Sequence, residues 1–414
     1  MLFFSANDGT NGVELWRLDG TSGGTSMLKD IQPGNGHSYP YSFTASNGVL
    51  FFAATADTSG TELWKSDGTS VGTSMVKDIN PGPVQSIPYP NYFSPTAYNG
   101  KLYFSADDGT NGQELWCSDG TSGGTLMVKD IQPGGGHSLP GGFTVLNGVL
   151  FFSADDYTNG RELWRSDGTS GGTILLKDIP GSGNPSSLTV VNGVLFFVAT
   201  DLVSSGTELW RSDGSASGTQ IVRDVRPGTG HSYPQGLTAF IGELFFSADD
   251  GTNGRELWRS DGTYTGTSMV RDINPGSLDG NPSYFIVFSG MLFFRAGNNT
   301  HGLELWRSNG TSSGTEMVKD IAPGSSSSYP YSFLPFNGKL FFFANDGTNG
   351  YELWETDGTA GGTVMAMDFF PGSDCQGYHG SGPCGQSEPS IAAVNGKLFV
   401  SARNGTKGNE LWSC

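Results

Sequence analysis

The chain has 414 residues, 64 of them glycine, and a formal net charge of −18 at pH 7. Nucleic acids and anionic membrane surfaces attract basic patches, so this charge excludes them as main partners and leaves cation binding open. No apolar run approaches the ~20 residues that a membrane-spanning helix needs, which excludes insertion by a helix.

One phrase recurs nine times along the chain, most plainly as SADDGTNGRELWRSDGTYTGTSMVRDINPG over 247–276. Its tryptophans are spaced by 46 to 58 residues, and a period in this range indicates one supersecondary unit copied many times. The tryptophans are Trp16, Trp64, Trp116, Trp164, Trp210, Trp258, Trp306, Trp354 and Trp412. Two positions before each lies a glutamate: Glu14, Glu62, Glu114, Glu162, Glu208, Glu256, Glu304, Glu352 and Glu410.

Each period predicts four strands. In the copy at 134–179 the apolar runs cover 143–146, 149–154, 161–166 and 174–179. An Asn-Gly pair, which favours a type I′ hairpin turn, separates the first two runs, and Gly-rich turns separate the others. Hairpin connections make an antiparallel meander, and no segment shows a helical period, so the sequence predicts an all-β protein.

The second run of each copy reads LFF or LYF and is apolar at consecutive positions. A strand of this kind is buried on both faces, as in a sheet packed between two neighbours. A four-stranded meander in that setting is a blade of a β-propeller. We therefore expect a single repeat domain over 1–414, with a Cys-containing loop insertion at 372–389.

The strand types do not occur in equal numbers. The first and fourth types occur eight times each, and the second and third types nine times each. We favour eight blades, with the last first-type strand joining the first three strands of the chain. The alternatives are nine blades, or an open array that polymerises when a terminal hairpin adds to the next molecule.

The phrase ELWRSDGTSGGT resembles that of ELWxxDGT-repeat proteins, and PGGGHSLPGGFTVLNGVLFFSADD is similar to kelch-type blades. The SDGTSGGT turn resembles the Asp-box hairpin of sialidase-type propellers, where Asp and Thr side chains bond the turn backbone. These resemblances cover essentially the whole chain. They imply a propeller-like, secreted, non-catalytic repeat module without a defined ligand.

The glutamate and tryptophan are predicted to be structural, because a catalytic carboxylate does not need nine equivalents. A glutamate between packed blades needs partners. We expect either backbone amides of a turn or the basic residue of the fourth strand, such as Lys77, Lys129 or Arg271. The tryptophan should fill the core between blades, with its indole N–H on one acceptor.

The DDGTNG turn suggests a metal. Its oxygen-bearing side chains are of the type that Ca²⁺ prefers, although Asp, Asn and Gly are also what a tight turn requires. Candidate ligands are Asp107, Asp108, Asn111, Asp249, Asp250 and Asn253. No other cofactor is predicted.

Cysteines and sequons favour an extracellular or cell-surface protein. Cys375 and Cys384 lie nine residues apart in the insertion and are predicted to form a disulfide, while the state of Cys117 and Cys414 is left open. Three N-glycosylation sequons occur, at Asn298, Asn309 and Asn404. Met1 starts within a repeat, which predicts a longer or processed precursor, or else a cytosolic start.

The predicted function is a non-enzymatic extracellular structural or interaction module with protein or glycan partners, which self-assembles through its terminal hairpins. The alternatives are a lectin with repeated loop sites and, less favoured, a propeller glycosidase. No catalytic residue is predicted, and His37, His137 and His231 are expected to organise loops. Tyrosine and proline in the loops between blades, as at Tyr39 and Tyr329, would form an aromatic rim suited to sugar rings or proteins.

Overall fold

The computed structural model of the chain describes residues 1–21, 23–87, 93–369, 390–403 and 409–413. Every regular element in these ranges is a strand, and none is an α-helix. The strands form nine antiparallel sheets. By contacts the chain divides into two compact units, 1–204 with 210–220 and 205–209 with 221–414.

The first four sheets lie in the first unit and follow the chain. Sheet one has three strands, β1 (Leu2–Asn7), β2 (Val13–Leu18) and β3 (Thr25–Lys29). Sheet two has β4 (Tyr41–Ser46), β5 (Val49–Ala56), β6 (Gly60–Ser66) and β7 (Ser74–Lys77). Sheet three has β8 (Thr96–Tyr98), β9 (Lys101–Asp107), β10 (Gln113–Ser118) and β11 (Leu126–Lys129). Sheet four has β12 (Gly141–Leu146), β13 (Val149–Asp155), β14 (Arg161–Ser166) and β15 (Ile174–Lys177).

The remaining sheets continue the same order. Sheet five has β16 (Ser186–Val191), β17 (Val194–Asp201), β18 (Gly206–Ser212) and β19 (Gln220–Arg223). Sheet six has β20 (Gln235–Phe240), β21 (Glu243–Asp249), β22 (Arg255–Ser260) and β23 (Ser268–Arg271). Sheet seven has β24 (Ser283–Phe288), β25 (Met291–Asn298), β26 (Gly302–Ser308) and β27 (Thr315–Lys319). Sheet eight has β28 (Tyr331–Phe336), β29 (Lys339–Asn345), β30 (Tyr351–Thr356) and β31 (Val364–Met367), and sheet nine has β32 (Ser390–Val394), β33 (Lys397–Arg403) and β34 (Asn409–Ser413).

These sheets are the blades of a β-propeller, as predicted, but they number nine rather than the favoured eight. The first and last blades have three strands each. The last first-type strand, β32, pairs with its own hairpin neighbour β33, with Val394 opposite Lys397. Because a two-residue turn joins these strands, this local pairing forms with little loss of chain entropy, whereas the predicted pairing with the start of the chain has to close a very long loop.

The turns form where the sequence predicts them. Between β12 and β13, Asn147 has φ 49° and Gly148 has φ 73°, the two positive values of a type I′ turn. Between β14 and β15 the register shifts at Leu163 and Trp164, which marks a β-bulge. The same shift recurs in most other blades, for example between Leu257 and Trp258.

The hydrophobic core lies between successive blades, which confirms the prediction of burial on both faces. In the first unit, Phe51 and Leu63 of blade two pack with Phe104 and Trp116 of blade three. In the second unit, Trp306 of blade seven packs in the same way with Phe245 and Leu257 of blade six. The tryptophan of the phrase therefore belongs to the core shared with the preceding blade.

Cationic side chains join each of blades one to seven to the next blade. Basic residues of the third strand donate to a glycine carbonyl in the next Asp-Gly-Thr turn, as Lys65 Nζ does to Gly120 O at 2.7 Å. Basic residues of the fourth strand donate to a threonine carbonyl of that turn, as Lys77 Nζ does to Thr125 O at 2.9 Å. Of the two alternatives for the partners of the buried glutamates, the one that named Lys77 and its equivalents is therefore wrong.

Removing one such cation should weaken the packing between blades. Lys319 Nζ donates to Thr363 O at 2.7 Å and lies 5.7 Å from the centre of the Trp354 ring. We expect Lys319→Met to lower the free energy of unfolding by about 1–2 kcal/mol, because a charge-assisted hydrogen bond is lost while the aliphatic stem is retained. Chemical denaturation measures this change.

Lys339→Met is the matched control. Lys339 forms an exposed ion pair with Glu355 within one blade. Exposed pairs contribute about 0–1 kcal/mol, so a larger effect at Lys339 than at Lys319 would contradict the role given to the cations between blades.

Candidate functional site

The repeated glutamate is a buried structural acceptor. Glu304 has no exposed surface, and its two carboxyl oxygens accept from backbone amides: Oε2 from Ile321 N at 2.9 Å and Oε1 from Ser328 N at 3.0 Å. Ser328 Oγ donates to Oε2 at 2.6 Å. This geometry matches the backbone-amide alternative from the sequence. Burial raises the pKa of Glu304 to about 7, against the lowering effect of these hydrogen bonds.

The same arrangement recurs along the chain. The loop that joins one blade to the next, here called the connecting loop, folds back onto the glutamate of the blade it leaves. Ser38, for example, donates to Glu14 from both N and Oγ, at 3.1 and 2.6 Å. The glutamates described with such bonds are Glu14, Glu62, Glu114, Glu162, Glu208, Glu256, Glu304 and Glu352. Glu410, in the last blade, belongs to β34.

The tryptophans fill the core, but the expected acceptor for the indole N–H is present in one blade. Trp412 Nε1 donates to Ala402 O at 3.1 Å. In the other blades the described tryptophans bury an Nε1 that has no hydrogen-bond partner, and these are Trp16, Trp64, Trp116, Trp164, Trp210, Trp258, Trp306 and Trp354. Packing against apolar neighbours, rather than this hydrogen bond, holds them in place.

The DDGTNG turn uses its carboxylates for its own backbone. Asp108 Oδ1 accepts from Thr110 N and Asn111 N at 2.9 and 2.8 Å, and Asp108 Oδ2 accepts from Asn111 Nδ2 at 2.8 Å. Asp107 Oδ1 accepts from Gly109 N at 2.7 Å. The asparagine amide thus donates toward the aspartate, and its nitrogen, not its oxygen, faces the carboxylate.

The equivalent turn of blade six has the same bonds. Asp250 accepts from Thr252 N, Asn253 N and Asn253 Nδ2, each at 2.8 Å. Asp249 Oδ2 also accepts from Arg226 Nη1 at 2.6 Å. Among the residues with described coordinates, no group of three or more His, Cys, Asp or Glu is arranged to hold a metal ion. Turn geometry accounts for these residues, and Ca²⁺ binding stays a prediction.

The Asp-Gly-Thr turn is built as the Asp-box resemblance implies. Asp67 Oδ1 accepts from Thr69 N at 2.8 Å and from Thr69 Oγ1 at 2.7 Å. Gly72 N then donates to Thr69 Oγ1 at 3.0 Å. These hydrogen bonds hold the pKa of Asp67 below its ordinary value. The turn is therefore a folding device with its polar groups satisfied.

The histidines of the connecting loops are acceptors. His37 Nδ1 accepts from Val13 N, and His231 Nδ1 accepts from Thr207 N, both at 2.9 Å. Other blades fill this position with Asp279 Oδ1 or Ser327 Oγ, which accept from Arg255 N and Leu303 N at 2.8 and 2.9 Å. Since any acceptor serves, the histidine organises the loop, as predicted.

Backbone strain is concentrated two residues after these acceptors. Tyr39 has φ 43°, Tyr233 has φ 45° and Tyr329 has φ 47°, although each precedes a proline. The position before proline favours extended backbone, and bulky residues rarely adopt positive φ. Two other blades place asparagine there, Asn184 and Asn281, which tolerates this region far better.

Two of these strained tyrosines are also exposed. Tyr39 is 57% exposed and Tyr233 is 51% exposed. Each ring stacks on the preceding histidine, with centroid distances of 5.1 Å for His37–Tyr39 and 5.0 Å for His231–Tyr233. In blade six Arg255 Nη1 donates to the Tyr233 carbonyl at 2.7 Å, which holds the strained residue in position. These Tyr–His pairs are stacked aromatic surfaces accessible to solvent.

Blade seven contains a pair of residues that sequence reasoning did not single out. Arg295 lies opposite Ser283, and its Cζ is 4.5 Å from the centre of the Tyr284 ring. A comparison of equivalent positions across the repeats would have found it, because the other described blades carry Ala, Ser, Val or Phe where Arg295 stands.

The structure does not test the predicted disulfide or the predicted glycosylation. Cys375, Cys384, Asn404 and Cys414 lie outside the described residues. Cys117 is a buried free thiol. The sequon residue Asn309 occupies the aspartate position of its turn and accepts from Thr311 N at 3.0 Å. Within the described ranges no helix is long and apolar enough to cross a membrane.

Comparisons with known proteins concern the fold. No protein-family model and no curated protein matches the chain. Among solved structures, a puromycin hydrolase aligns with 87% of this chain and 57% of its own, at 16% identity and a TM-score of 0.45. A structure from a study of two prolyl endopeptidases aligns with 88% of this chain and 54% of its own, at 10% identity and a TM-score of 0.45. BamB from Moraxella catarrhalis aligns over 83% and 91%, at 12% identity and a TM-score of 0.42.

These matches correct the predicted function. The expectation was a non-enzymatic extracellular module, with a lectin and a glycosidase as alternatives, whereas the similar structures include a hydrolase and endopeptidases. The chain spans a little over half the length of those two proteins, 57% and 54%. A propeller by itself shows neither the presence nor the lack of an enzymatic activity.

Proposed function

We propose that this propeller recognises extended peptides as part of a peptide-processing protein. The observation that carries the proposal is the strained, exposed Tyr–His pair of the connecting loop, formed by His37 with Tyr39 and by His231 with Tyr233. Asparagine at the same position in Asn184 and Asn281 meets the backbone requirement with less strain. Sparsely populated backbone conformations cluster at ligand sites, and these two hold an exposed aromatic ring in such a conformation.

Peptides suit these surfaces for a physical reason. Aromatic rings bind extended chains that present proline or aromatic side chains, since little conformational freedom is lost by either partner. The net charge of −18 favours ligands that carry positive charge over polyanions. Stacked rings add cation–π attraction for lysine or arginine side chains of the ligand.

The double variant Tyr39→Asn, Tyr233→Asn tests the proposal. Relief of two strained backbones should raise the free energy of unfolding by about 1 kcal/mol per site, because asparagine tolerates positive φ. Loss of both rings should weaken binding of a fluorescent, proline-rich peptide with one phenylalanine and one lysine by at least about fivefold. Fluorescence anisotropy measures the affinity and urea denaturation measures the stability.

Tyr264→Ser is the control, because Tyr264 is an exposed tyrosine of an Asp-Gly-Thr turn, where other blades carry serine or alanine. It should leave peptide affinity unchanged. Unaltered peptide affinity in the Tyr39, Tyr233 double variant would contradict the proposal, whatever its stability.

Membership of the ELWxxDGT-repeat proteins is a further part of this proposal. It rests on the ELW and DGT phrases quoted above. Extracellular location, glycosylation, the disulfide of the insertion and self-assembly through terminal hairpins stay predictions. Recognition of peptides does not depend on any of them.

A further inference from the structure

Blade seven departs from the other blades at two residues whose side chains contact each other, Arg295 and Tyr284. Arg295 of the second strand lies opposite Ser283, the first residue of the first strand. In the blades with the equivalent pairing, the second-strand residue is Ala53, Ser153, Val198, Ser247 or Phe343. Arg295 is the charged member of this set.

The second departure is Tyr284. In blades two, four, five, six and eight the equivalent residues have positive φ and are small: Ser42, Gly142, Ser187, Gly236 and Ser332. Tyr284 adopts the same backbone, with φ 57°, and is 44% exposed. A large aromatic residue therefore stands at a strained position where the fold elsewhere uses serine or glycine, and it does so in the blade that carries Arg295.

The two side chains form one unit. The Arg295 guanidinium lies over the Tyr284 ring, with its Cζ 4.5 Å from the ring centre, and Arg295 Nε donates to Ser283 Oγ at 3.3 Å. Its Nη1 is buried and has no hydrogen-bond partner in the described structure. No acidic side chain of the described residues lies within 4.0 Å of Arg295, although the chain as a whole is strongly acidic.

Each departure has an energetic cost in the free protein. A tyrosine at positive φ is strained, and a guanidinium N–H without an acceptor loses its hydration without compensation. Equivalent blades fold with serine or glycine at the position of Tyr284 and with alanine, serine, valine or phenylalanine at the position of Arg295. The pair thus combines a planar cation, which has one donor unused in this conformation, with an exposed aromatic ring.

We propose that Arg295 and Tyr284 bind a carboxylate, and specifically the C-terminal carboxylate of a peptide whose last side chain packs on the Tyr284 ring. A guanidinium pairs with a carboxylate through charge-assisted hydrogen bonds, which are stronger than neutral ones. This inference rests on the proposed peptide recognition, since it names the end of the peptide that is bound. The site itself uses residues of blade seven, separate from the Tyr–His pairs.

The test compares an acid with its amide. N-acetyl-phenylalanine and N-acetyl-phenylalaninamide are titrated into the full chain, and the affinity is followed by NMR chemical shifts. We expect the acid to bind at least about tenfold more tightly than the amide, and Arg295→Ser to remove this difference. Arg295→Lys should retain part of it, because the charge remains while the planar donor pair is lost.

Arg259→Ser is the control. It removes one positive charge from the same part of the chain, residues 221–414, at an arginine that pairs with Glu243 at 3.5 Å. It should leave the preference for the acid intact, and circular dichroism of each variant checks that the blade is folded. Equal binding of acid and amide, or a preference that survives Arg295→Ser, would overturn the carboxylate site. The Tyr39, Tyr233 double variant distinguishes the two proposals. If it loses peptide affinity but still binds the acid more tightly than the amide, the carboxylate site does not depend on the Tyr–His pairs.

Discussion

Glu304→Gln should lower the free energy of unfolding by about 2–4 kcal/mol, although it changes one atom. Both carboxyl oxygens of Glu304 accept from backbone amides, Oε2 from Ile321 N and Oε1 from Ser328 N. A carboxyl group accepts at both oxygens whether or not it carries a proton. An amide has one oxygen, so in either orientation its NH₂ faces a backbone N–H in the buried interior. Urea denaturation followed by tryptophan fluorescence measures the loss.

Glu316→Gln is the matched control for this prediction. Glu316 is exposed and pairs with Arg307 within the same blade. The same substitution there should change the stability by less than about 0.5 kcal/mol. If the two variants lost equal stability, the buried carboxyl would not be the structural acceptor described above.

Stability should fall as the pH rises from about 4.5 to about 7. Burial raises the pKa of seven repeated glutamates from the ordinary 4.5 to about 7, and these are Glu62, Glu114, Glu162, Glu208, Glu256, Glu304 and Glu352. Below pH 4.5 the folded and unfolded states both hold these protons, so the contribution to stability is complete. As the pH rises through 7 the folded state has to ionise buried carboxyl groups, and the contribution is lost.

The contribution of the turn aspartates to folding stability depends on pH in the opposite direction, and it changes at lower pH. Hydrogen bonds from their own turns hold the pKa of Asp67 and Asp119 below the ordinary 3.8. Their contribution is present above that value and is lost as the pH falls through the lowered pKa. We therefore expect the urea midpoint to be highest between about pH 4 and 5 and lower at pH 8. A midpoint that rises steadily from pH 5 to 8 at constant ionic strength would contradict this.

The candidate site shows why sequence reasoning reached some residues and missed others. The glutamate was recognised as structural because it is repeated, but its partners are backbone amides of a loop 17 and 24 residues further on, as Ile321 and Ser328 show. Backbone donors leave no mark in the sequence. The sequence displays Arg295 as an exception among the second strands, but its contact with Tyr284 depends on the bulge of β24, which only the structure shows.

Repetition and local propensity determined much of this protein without the structure. The alternation of apolar runs with Asn-Gly and Asp-Gly pairs was sufficient for the strand order, the hairpins and the all-β propeller class, because these depend on neighbours a few residues apart. The tertiary structure decided what depends on distant pairing. It made the blades nine rather than eight, because β32 pairs with its own hairpin. It directed Lys77 to the next blade rather than to a glutamate, since only packing sets which carbonyl a flexible cation reaches. It also placed Tyr39 and Tyr233 at positive φ, a strain that a sequence does not display.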